Sequence, residues 1–438
     1  MTLIVSLFYN CVVLPMMQLL FWGGSLFPGK LRDRQRALRA SHPLRRINAS
    51  GLRISDYALH TATVWLHAAS MGELEQLKPV IKRIHALNND VRVFVSVFSV
   101  SGIMSAQRLE QVHHAFVLPL DSIWTMRRLV KGLKPTLVIF NRYDVWPNLV
   151  RSLRKSNVPM ILANATLPSS SSNGFLRRWI AGTYSYLSEI FAIDASHATM
   201  LEKLLASAPK HQSMPIVSQL YDTRCDTVLD KIASNWQEVE QYRRNSQVTI
   251  VVGSSWHDDE MLFVEALEVL SSQYAKDNAA SHRRLRLIFV PHEPTPPAIQ
   301  RITQLIPATL WSKATPDTDG HLIVDSVGLL LSLYSIADAA FVGGGFGAGV
   351  HSVTEPGVYG VPVSCGPYIS RASDAMALRQ ENLLCVITNG ADLAAWINEV
   401  VLNDVNREDV GNQTRTLLRR GQGAADTLAA HLVKRYLT

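Results

Sequence analysis

Two successive series of short apolar runs, each interleaved with amphipathic stretches, constrain this chain more than any other feature. In the first series Val64-Trp65-Leu66-His67-Ala68, Val91 to Val97, Ala115 to Leu118, Thr136 to Phe140 and Pro159 to Ala163 read as strands. Glu73 to Leu87, Trp124 to Gly132 and Trp146 to Lys155 read as helices between them. A second series opens at Val248 to Gly253. It continues through Leu285 to Val290, Thr309 to Trp311, His321 to Val324, Ala339 to Val342, Pro362-Val363 and Leu384 to Ile387. Strands alternating with helices predict parallel βαβ units and doubly wound sheets. The 438 residues suffice for two such domains, each with its own core. The polar, helically patterned stretch Cys225 to Arg244 puts the boundary near residue 240. The expected fold is therefore α/β, with two Rossmann-like domains facing a cleft and an N-terminal membrane-anchor helix. Residues 1–28 form the anchor, 29–240 the N-terminal domain and 241–438 the C-terminal domain. Ser169 to Ser172 reads as a surface loop.

The anchor is expected because Leu3 to Phe27 carries no charged residue and is long enough to cross a bilayer, although Asn10, Pro15 and Gly23-Gly24 interrupt it. Its positive charge follows the apolar run instead of preceding it, unlike a signal peptide. Between Lys30 and Asp56 eight Lys or Arg oppose Asp33 and Asp56, so nearly all of the chain's formal +7 sits in that segment. By the positive-inside rule the domains are expected on the cytoplasmic side of the membrane. A basic stretch beside an apolar one suits anionic lipid head groups. Nucleic acid is not expected as a partner, because no basic face interleaved with aromatics follows. Cys11, Cys225, Cys365 and Cys385 show no metal-like pairing, which fits a reducing compartment without a disulfide framework. Nothing in the sequence sets the oligomeric state.

Ligands of open α/β sheets bind outside the carboxyl ends of the strands, so the residues just after each apolar run are the candidate site. The run Ala339 to Val342 breaks into Gly343-Gly344-Gly345, followed by His351, Ser352 and Glu355. Glycines between a strand and a helix let backbone amides approach a phosphate, and a carboxylate one turn later can accept from ribose hydroxyls. A plain glycine turn is the alternative for the glycines alone; with His351, Glu355 and Tyr359 to Val363 included, a nucleotide-sugar site is the better reading. Gly253 and Ser254 open a second such turn, where Asp258-Asp259-Glu260 reads as helix-dipole stabilisation in preference to a metal site, since adjacent helical residues do not share a face. His292, in Pro291-His292-Glu293-Pro294, ends a strand within reach of a base or serves structure. In the N-terminal domain, Ser70, Gly72 and Glu73 follow the first strand; Ser70 and Glu73 have capping-box spacing and also lie where an acceptor should bind. Arg142, Asp144 and Asn148, with Trp146 and Pro147, end another strand. They form either a sugar-acid recognition set or a capped helix with a packed tryptophan.

Taken together these segments resemble the 3-deoxy-D-manno-oct-2-ulosonic acid (Kdo) transferases, membrane-associated glycosyltransferases of lipopolysaccharide assembly with a GT-B fold. The matching pieces are the anchor, His67 to Glu73, Tyr143 to Asn148, Asn164-Ala165, Asp222 to Asp226, Gly253 to Glu260, the glycine run with His351 and Glu355, and Gly366-Pro367. The resemblance implies inverting, metal-independent transfer of Kdo from CMP-Kdo, as donor substrate and without a cofactor, to a glucosamine hydroxyl of a lipid A precursor. It puts CMP on the C-terminal domain, with Gly343 to Gly345 at the phosphate and Glu355 on the ribose. It puts the acceptor on the N-terminal domain, where Ser70, Gly72, Arg142, Asp144 and Asn148 would bind it. The family's general base is a Glu just after the anchor; here Asp33 is the nearest carboxylate, and Glu73 is the second candidate. The tryptophan motif usually carries Glu where Asp144 stands, and an Asn usually follows the histidine where Ser352 stands. The other readings are a GT-B enzyme using a UDP-sugar, and a non-catalytic protein that kept the fold and lost the base.

Overall fold

The computed structural model describes residues 7–42, 62–167, 174–209, 214–234, 239–277 and 285–438. The expected Ser169 to Ser172 loop and the basic residues Arg45, Arg46 and Arg53 lie outside that range. The described chain divides into two compact units, Met1–Thr227 with Gly421–Thr438, and Val228–Arg420.

The first unit is built on β1 (Ala62–Ala68), β2 (Val91–Val97), β3 (His114–Val117), β4 (Leu137–Asn141), β5 (Met160–Ala165), β6 (Glu189–Ala192) and β7 (Ile216–Gln219). They form one sheet in the order β3-β2-β1-β4-β5-β6-β7. Every neighbouring pair is parallel. The strands are apolar without alternation because helices cover both faces of the sheet. Val64, Leu66, Val93, Val95 and Ile139 face one buried cluster, and Trp65, Phe116, Val138 and Phe140 face the other.

The second unit repeats the plan with β8 (Val248–Ser255), β9 (Leu285–Pro291), β10 (Ala308–Leu310), β11 (His321–Ile323), β12 (Ala339–Val342), β13 (Val363–Cys365) and β14 (Leu384–Val386). Their order is β10-β11-β9-β8-β12-β13-β14, again all parallel.

The domain division departs from the expected 29–240 and 241–438. The helix Ala424–Tyr436 packs on the first unit, where Ala425, Leu428, Ala429 and Leu432 join the cluster around Val80, Ile81 and Ile84. Asp226 fixes the start of that helix by accepting from Gly423 N and Ala425 N, both at 2.7 Å. His431 Nε2 lies 2.9 Å from Glu189 Oε2.

The N-terminal segment also belongs to the first unit. A π-helical turn, Tyr9–Val13, runs into the helix Leu14–Ser25, and a second helix, Lys30–Ser41, follows a sharp turn at Gly29 (φ 146°). No single helix among the described residues is long and apolar enough to cross a membrane; the pair is bent by 102°. One side is pinned to the domain. Tyr9 Oη donates to Asp121 Oδ2 (3.0 Å), and Asn148 Nδ2 donates to Asn10 Oδ1 (2.8 Å). The other side exposes Leu19, Leu20, Trp22, Leu26 and Phe27, each more than 60% accessible. Arg34 locks the bend: its guanidinium lies 3.9 Å over the Phe98 ring and 4.8 Å over Phe21, and donates to the Leu118 carbonyl (2.8 Å). Burial lowers its pKa to about 10, which leaves it charged.

Candidate functional site

Three non-glycine residues at strand carboxyl ends hold left-handed backbone: Arg142 just after β4 (φ 60°), Asn164 in β5 (φ 50°) and Ser254 in β8 (φ 52°). At Asn164 and Ser254 the sheet register also shifts. Such conformations cost energy and cluster where a fold aims side chains at a ligand. Each unit therefore concentrates strain at the edge that the topology marks for binding.

In the first unit the cluster is built around His67, at the end of β1 and completely buried. Its Nε2 lies 2.9 Å from Asp144 Oδ2 and its Nδ1 2.8 Å from Ser96 Oγ. Nδ1 also lies 3.1 Å from the Ser96 carbonyl oxygen, and Trp65 Nε1 donates to Ser96 Oγ at 2.8 Å. Trp146 Nε1 donates toward His67 Nε2 at 3.2 Å from the other side. It stacks on Phe98 with ring centroids 5.8 Å apart, which ties the site to the helix carrying Arg34.

Glu73 sits on the first turn of the helix Met71–Leu87, behind the cap Ser70. The Ser70 hydroxyl accepts from Glu73 N (3.3 Å), and Glu73 Oε2 accepts from Ala69 N (2.8 Å). The capping-box reading of the pair thus holds, shifted by one residue at the returning bond. Burial pushes the Glu73 carboxyl above its usual range. The Ala69 hydrogen bond opposes that rise, Asp144 adds to it, and His67 and Arg142 oppose it. Glu73, Asp144, His67 and Arg142 therefore form one electrostatic group. Arg142 Nε is buried and finds no hydrogen-bond acceptor among the described residues. A second layer fixes this group from below. Asn141 Nδ2 donates to the Glu73 carbonyl and to Gln76 Oε1, both at 3.0 Å, and Asn164 Nδ2 donates to Asn141 Oδ1 at 2.8 Å.

The other expected residues of this unit separate. Gly72 lies exposed beside Ser70, with open space where a side chain would be. Asn148 does not face a ligand: it is fully buried and spends its amide on the Asp121 carbonyl and Asn10 Oδ1. It starts the helix Pro147–Lys155, whose first amides are held by Asp121. Asp33 stands on the first turn of its helix with a side chain 57% accessible, 3.9 Å from Arg36. The sequence reading missed His67 as the hub; its place in the motif His67 to Glu73 was the available signal.

In the second unit the glycine turn is real, and its amides are used differently from expectation. Gly343 N donates to the Gly253 carbonyl (2.9 Å) and Gly344 N to Asp259 Oδ2 (3.0 Å). The same oxygen accepts from Trp256 N at 2.9 Å. Two of the three expected phosphate-binding amides are therefore committed to the fold. What the glycines supply is close approach. A Cβ on Gly343 would lie 2.4 Å from the Ser254 carbonyl oxygen, one on Gly345 2.6 Å from Gly366 Cα, and one on Gly253 2.1 Å from Tyr334 Oη. Nor does a long helix follow, since Thr354–Gly357 is a single turn. Burial raises the Asp259 carboxyl to about 6, against the two amide bonds. Its neighbour Glu260 is fully buried against Arg301, with N···O distances of 2.7 and 3.0 Å. Two of the three acids expected only to favour a helix dipole are thus buried braces.

Beside this turn three rings stack. His292 lies 4.8 Å from Trp256 and 4.5 Å from His351, centroid to centroid, and Trp256 Nε1 donates to His351 Nε2 at 3.3 Å. Burial, and then His292, keep the His351 pKa below its ordinary value, so the ring is neutral and free to accept. Ser352 and Glu355 are half-buried next to it, and Glu355 raises the pKa values of the Tyr334 and Tyr359 phenols in addition to their burial. His292, His351, Gly253, Ser254 and Gly343 to Gly345 are thus gathered in this unit.

Residues 36–215 match the family described as 3-deoxy-D-manno-octulosonic-acid transferase (kdotransferase). The chain is 28% identical over 325 residues to the 3-deoxy-D-manno-octulosonic acid transferase of Chlamydophila psittaci, covering 71% of this chain and 70% of that one. It is 24% identical over 389 residues to the enzyme of the same name from Haemophilus influenzae, covering 85% and 87%. Among solved structures, the UDP-GlcNAc 2-epimerase from Neisseria meningitidis bound to UDP-GlcNAc superposes with a TM-score of 0.59 at 13% identity, over 85% of this chain and all of that one. Acinetobacter baumannii MurG gives 0.54 at 13%, over 85% and 99%. These likenesses show the fold alone: two Rossmann-like domains of the GT-B type. The chain is thus similar in sequence to the 3-deoxy-D-manno-octulosonic acid transferases, with the family match over residues 36–215, and its fold is of the GT-B type.

Proposed function

We propose that this protein transfers Kdo from CMP-Kdo to a glucosamine hydroxyl of a lipid A precursor, with inversion and without a metal, at the cytoplasmic face of the inner membrane. The observation that carries the proposal is the group of buried Glu73 and His67 with half-buried Asp144 and Arg142 at the carboxyl ends of β1 and β4. It lies inside the segment that matches the family. An inverting transfer needs a base for the acceptor hydroxyl proton and stabilisation of the departing phosphate. Glu73 supplies the base: one carboxylate oxygen is held by Ala69 N, and a raised pKa makes it a stronger proton acceptor than an exposed acid. Asp33, exposed among arginines, is the second candidate. The acceptor oxygen attacks the anomeric carbon as its proton passes to the carboxylate, the bond to the phosphate oxygen breaks, and CMP leaves with the electron pair. Arg142, with a free Nε, suits the carboxylate of the sugar acid. The ring stack of Trp256, His292 and His351 beside the glycine turn supports nucleotide binding by the second unit. Nearly all the exposed large side chains of the N-terminal helix are apolar, which suits a helix lying in the membrane surface, with anionic lipids beside the basic segment.

The test is product formation from CMP-Kdo and tetra-acylated lipid A precursor by the purified full-length protein, with UDP-sugars in parallel. A mass gain of one or more Kdo units, lost in Glu73→Gln, supports the reading. Transfer from a UDP-sugar alone, or CMP binding without transfer, overturns it.

A further inference from the structure

A cavity of about 290 Å³ opens within the first unit between the N-terminal helix and the helix Gly174–Tyr184. Val13 and Met17 form one wall and Leu176 and Ile180 the other, while Asp144 and Trp146 stand where it meets the catalytic group. The buried polar side-chain atoms of its described lining are committed with one exception. Tyr9 Oη donates to Asp121, Tyr184 Oη to the Tyr143 carbonyl (3.1 Å), and Thr183 Oγ1 to the Trp179 carbonyl (3.1 Å). The exception is Trp179. Its ring is held against Tyr9 with centroids 5.1 Å apart, and its Nε1 is buried with no acceptor among the described residues. A buried donor left unpaired costs about 1–3 kcal/mol. Water answers that need poorly here, because it wants several polar partners and the walls offer apolar carbon.

A ligand that satisfies this cavity is apolar along its length and carries one hydrogen-bond acceptor. We propose that the cavity receives an acyl chain, with the carbonyl at the head of the chain accepting from Trp179 Nε1. The proposal rests on the preceding reading only for the source of the chain. If the substrate is an acylated glucosamine, its chain enters here and its sugar is left beside Asp144 and Glu73. A bilayer phospholipid presents the same chemistry and is the other source. The helix that forms one wall has an apolar outer side, the face that a membrane surface would meet.

The test is tryptophan fluorescence of the full-length protein, with probes whose acyl chains carry bromine, a short-range quencher. One probe is an N-acylglucosamine with a brominated chain, the second is phosphatidylglycerol with brominated chains in vesicles, and the third is a bromoalkane without a carbonyl. Saturable quenching is expected with the acylated glucosamine. Ile180→Trp and, from the opposite wall, Val13→Trp fill the cavity and should abolish the saturable component; two variants guard against one failing to fold. Trp179→Phe should weaken acyl-probe binding about tenfold, the equivalent of one hydrogen bond of about 1.4 kcal/mol, and leave bromoalkane binding unchanged. Quenching by the phospholipid alone would keep the pocket and assign the chain to the bilayer. Equal saturable quenching in the parent and both filled variants would overturn the pocket, and parent binding of acyl probe and bromoalkane with equal affinity would overturn the hydrogen bond from Trp179. Saturable quenching without any Kdo transfer would sink the reaction and keep the pocket; transfer with quenching unaffected by both filled variants would do the reverse.

Discussion

His67 Nε2 and Asp144 Oδ2 lie 2.9 Å apart although 77 residues separate them in the chain. β1 and β4 are neighbours in the sheet, with His67 in register with Phe140, so the contact is a product of topology. His67 is completely buried and cannot touch substrate; it acts as a positioning residue for Asp144. Replacing Asp144 by Asn removes a charge-assisted hydrogen bond of about 1.5–3 kcal/mol. The expected loss in kcat/KM is about tenfold to hundredfold. Asp144→Glu should recover part of it, since it restores the charge. Loss of melting temperature with unchanged kinetics in Asp144→Asn would make the pair purely structural.

Glu73 predicts a pH profile. Its folded pKa lies above the ordinary carboxylate range, chiefly through burial, so the fraction able to accept a proton grows only at higher pH than an exposed acid would need. The acidic limb of kcat/KM should therefore sit above the usual Glu range and vanish in Glu73→Gln. Removing a general base costs on the order of a hundredfold to ten-thousandfold in rate. Retention of the limb in Glu73→Gln would move the base elsewhere, with Asp33 tested next.

Asp33 and Arg34 are adjacent and should behave in opposite ways. Arg34→Ala removes a hydrogen bond from a charged group and a cation over two rings. Together these are worth about 2–4 kcal/mol of stability. Thermal unfolding should show the loss, along with easier proteolysis of residues 7–42. Asp33→Ala removes an exposed carboxylate and should leave both the melting temperature and transfer intact. A large fall in transfer with unchanged stability would return Asp33 to the base role.

The strands were readable because a run buried on both faces is apolar throughout, and β2 and β12 have the bounds the sequence suggests. β6 and β7 escaped for a local reason. β6 opens with Glu189, a buried acid that the C-terminal helix pairs with His431, Arg435 and Tyr436, and β7 is a partly exposed edge with Ser218 and Gln219. The same long-range docking moved the domain division, since no short-range pattern says on which sheet a terminal helix will rest. In the site, Ser70 with Glu73 was readable because a cap is a local device. The His67–Asp144 contact and the Asp259 brace were not, because each joins residues through a strand pairing or a turn that only the folded sheet defines.

Asp259 carries a prediction of its own. Its Oδ2 accepts from Gly344 N and Trp256 N, and Asp259→Ala leaves both amides without that partner. Each buried orphan costs about 1–3 kcal/mol, so unfolding of the second unit should come markedly earlier. Gly345→Ala should act in the same direction through overpacking, about 1–3 kcal/mol, since its Cβ would meet the Gly366 backbone. Nucleotide binding measured by calorimetry should fall with stability in both. Full binding and an unshifted melting curve in Asp259→Ala would remove Asp259 from the brace.

Asp121 links the N-terminal helix to the domain, and its titration gives stability a definite slope. The carboxylate accepts from Tyr9 Oη, Asn148 N and Leu149 N, yet complete burial still raises its pKa to about 7. A folded value above the unfolded one means that the native state holds the proton more tightly. The stabilisation it gives is complete below the unfolded value of about 4 and is lost as pH rises through the folded value. Between pH 5 and 8 the melting temperature of the parent should therefore fall relative to Asp121→Asn, which has no proton to lose. The amide keeps one acceptor oxygen, so the variant starts lower and the gap narrows with pH. A gap that widens instead would mean the three hydrogen bonds outweigh burial and the carboxylate is ionised in the folded protein throughout.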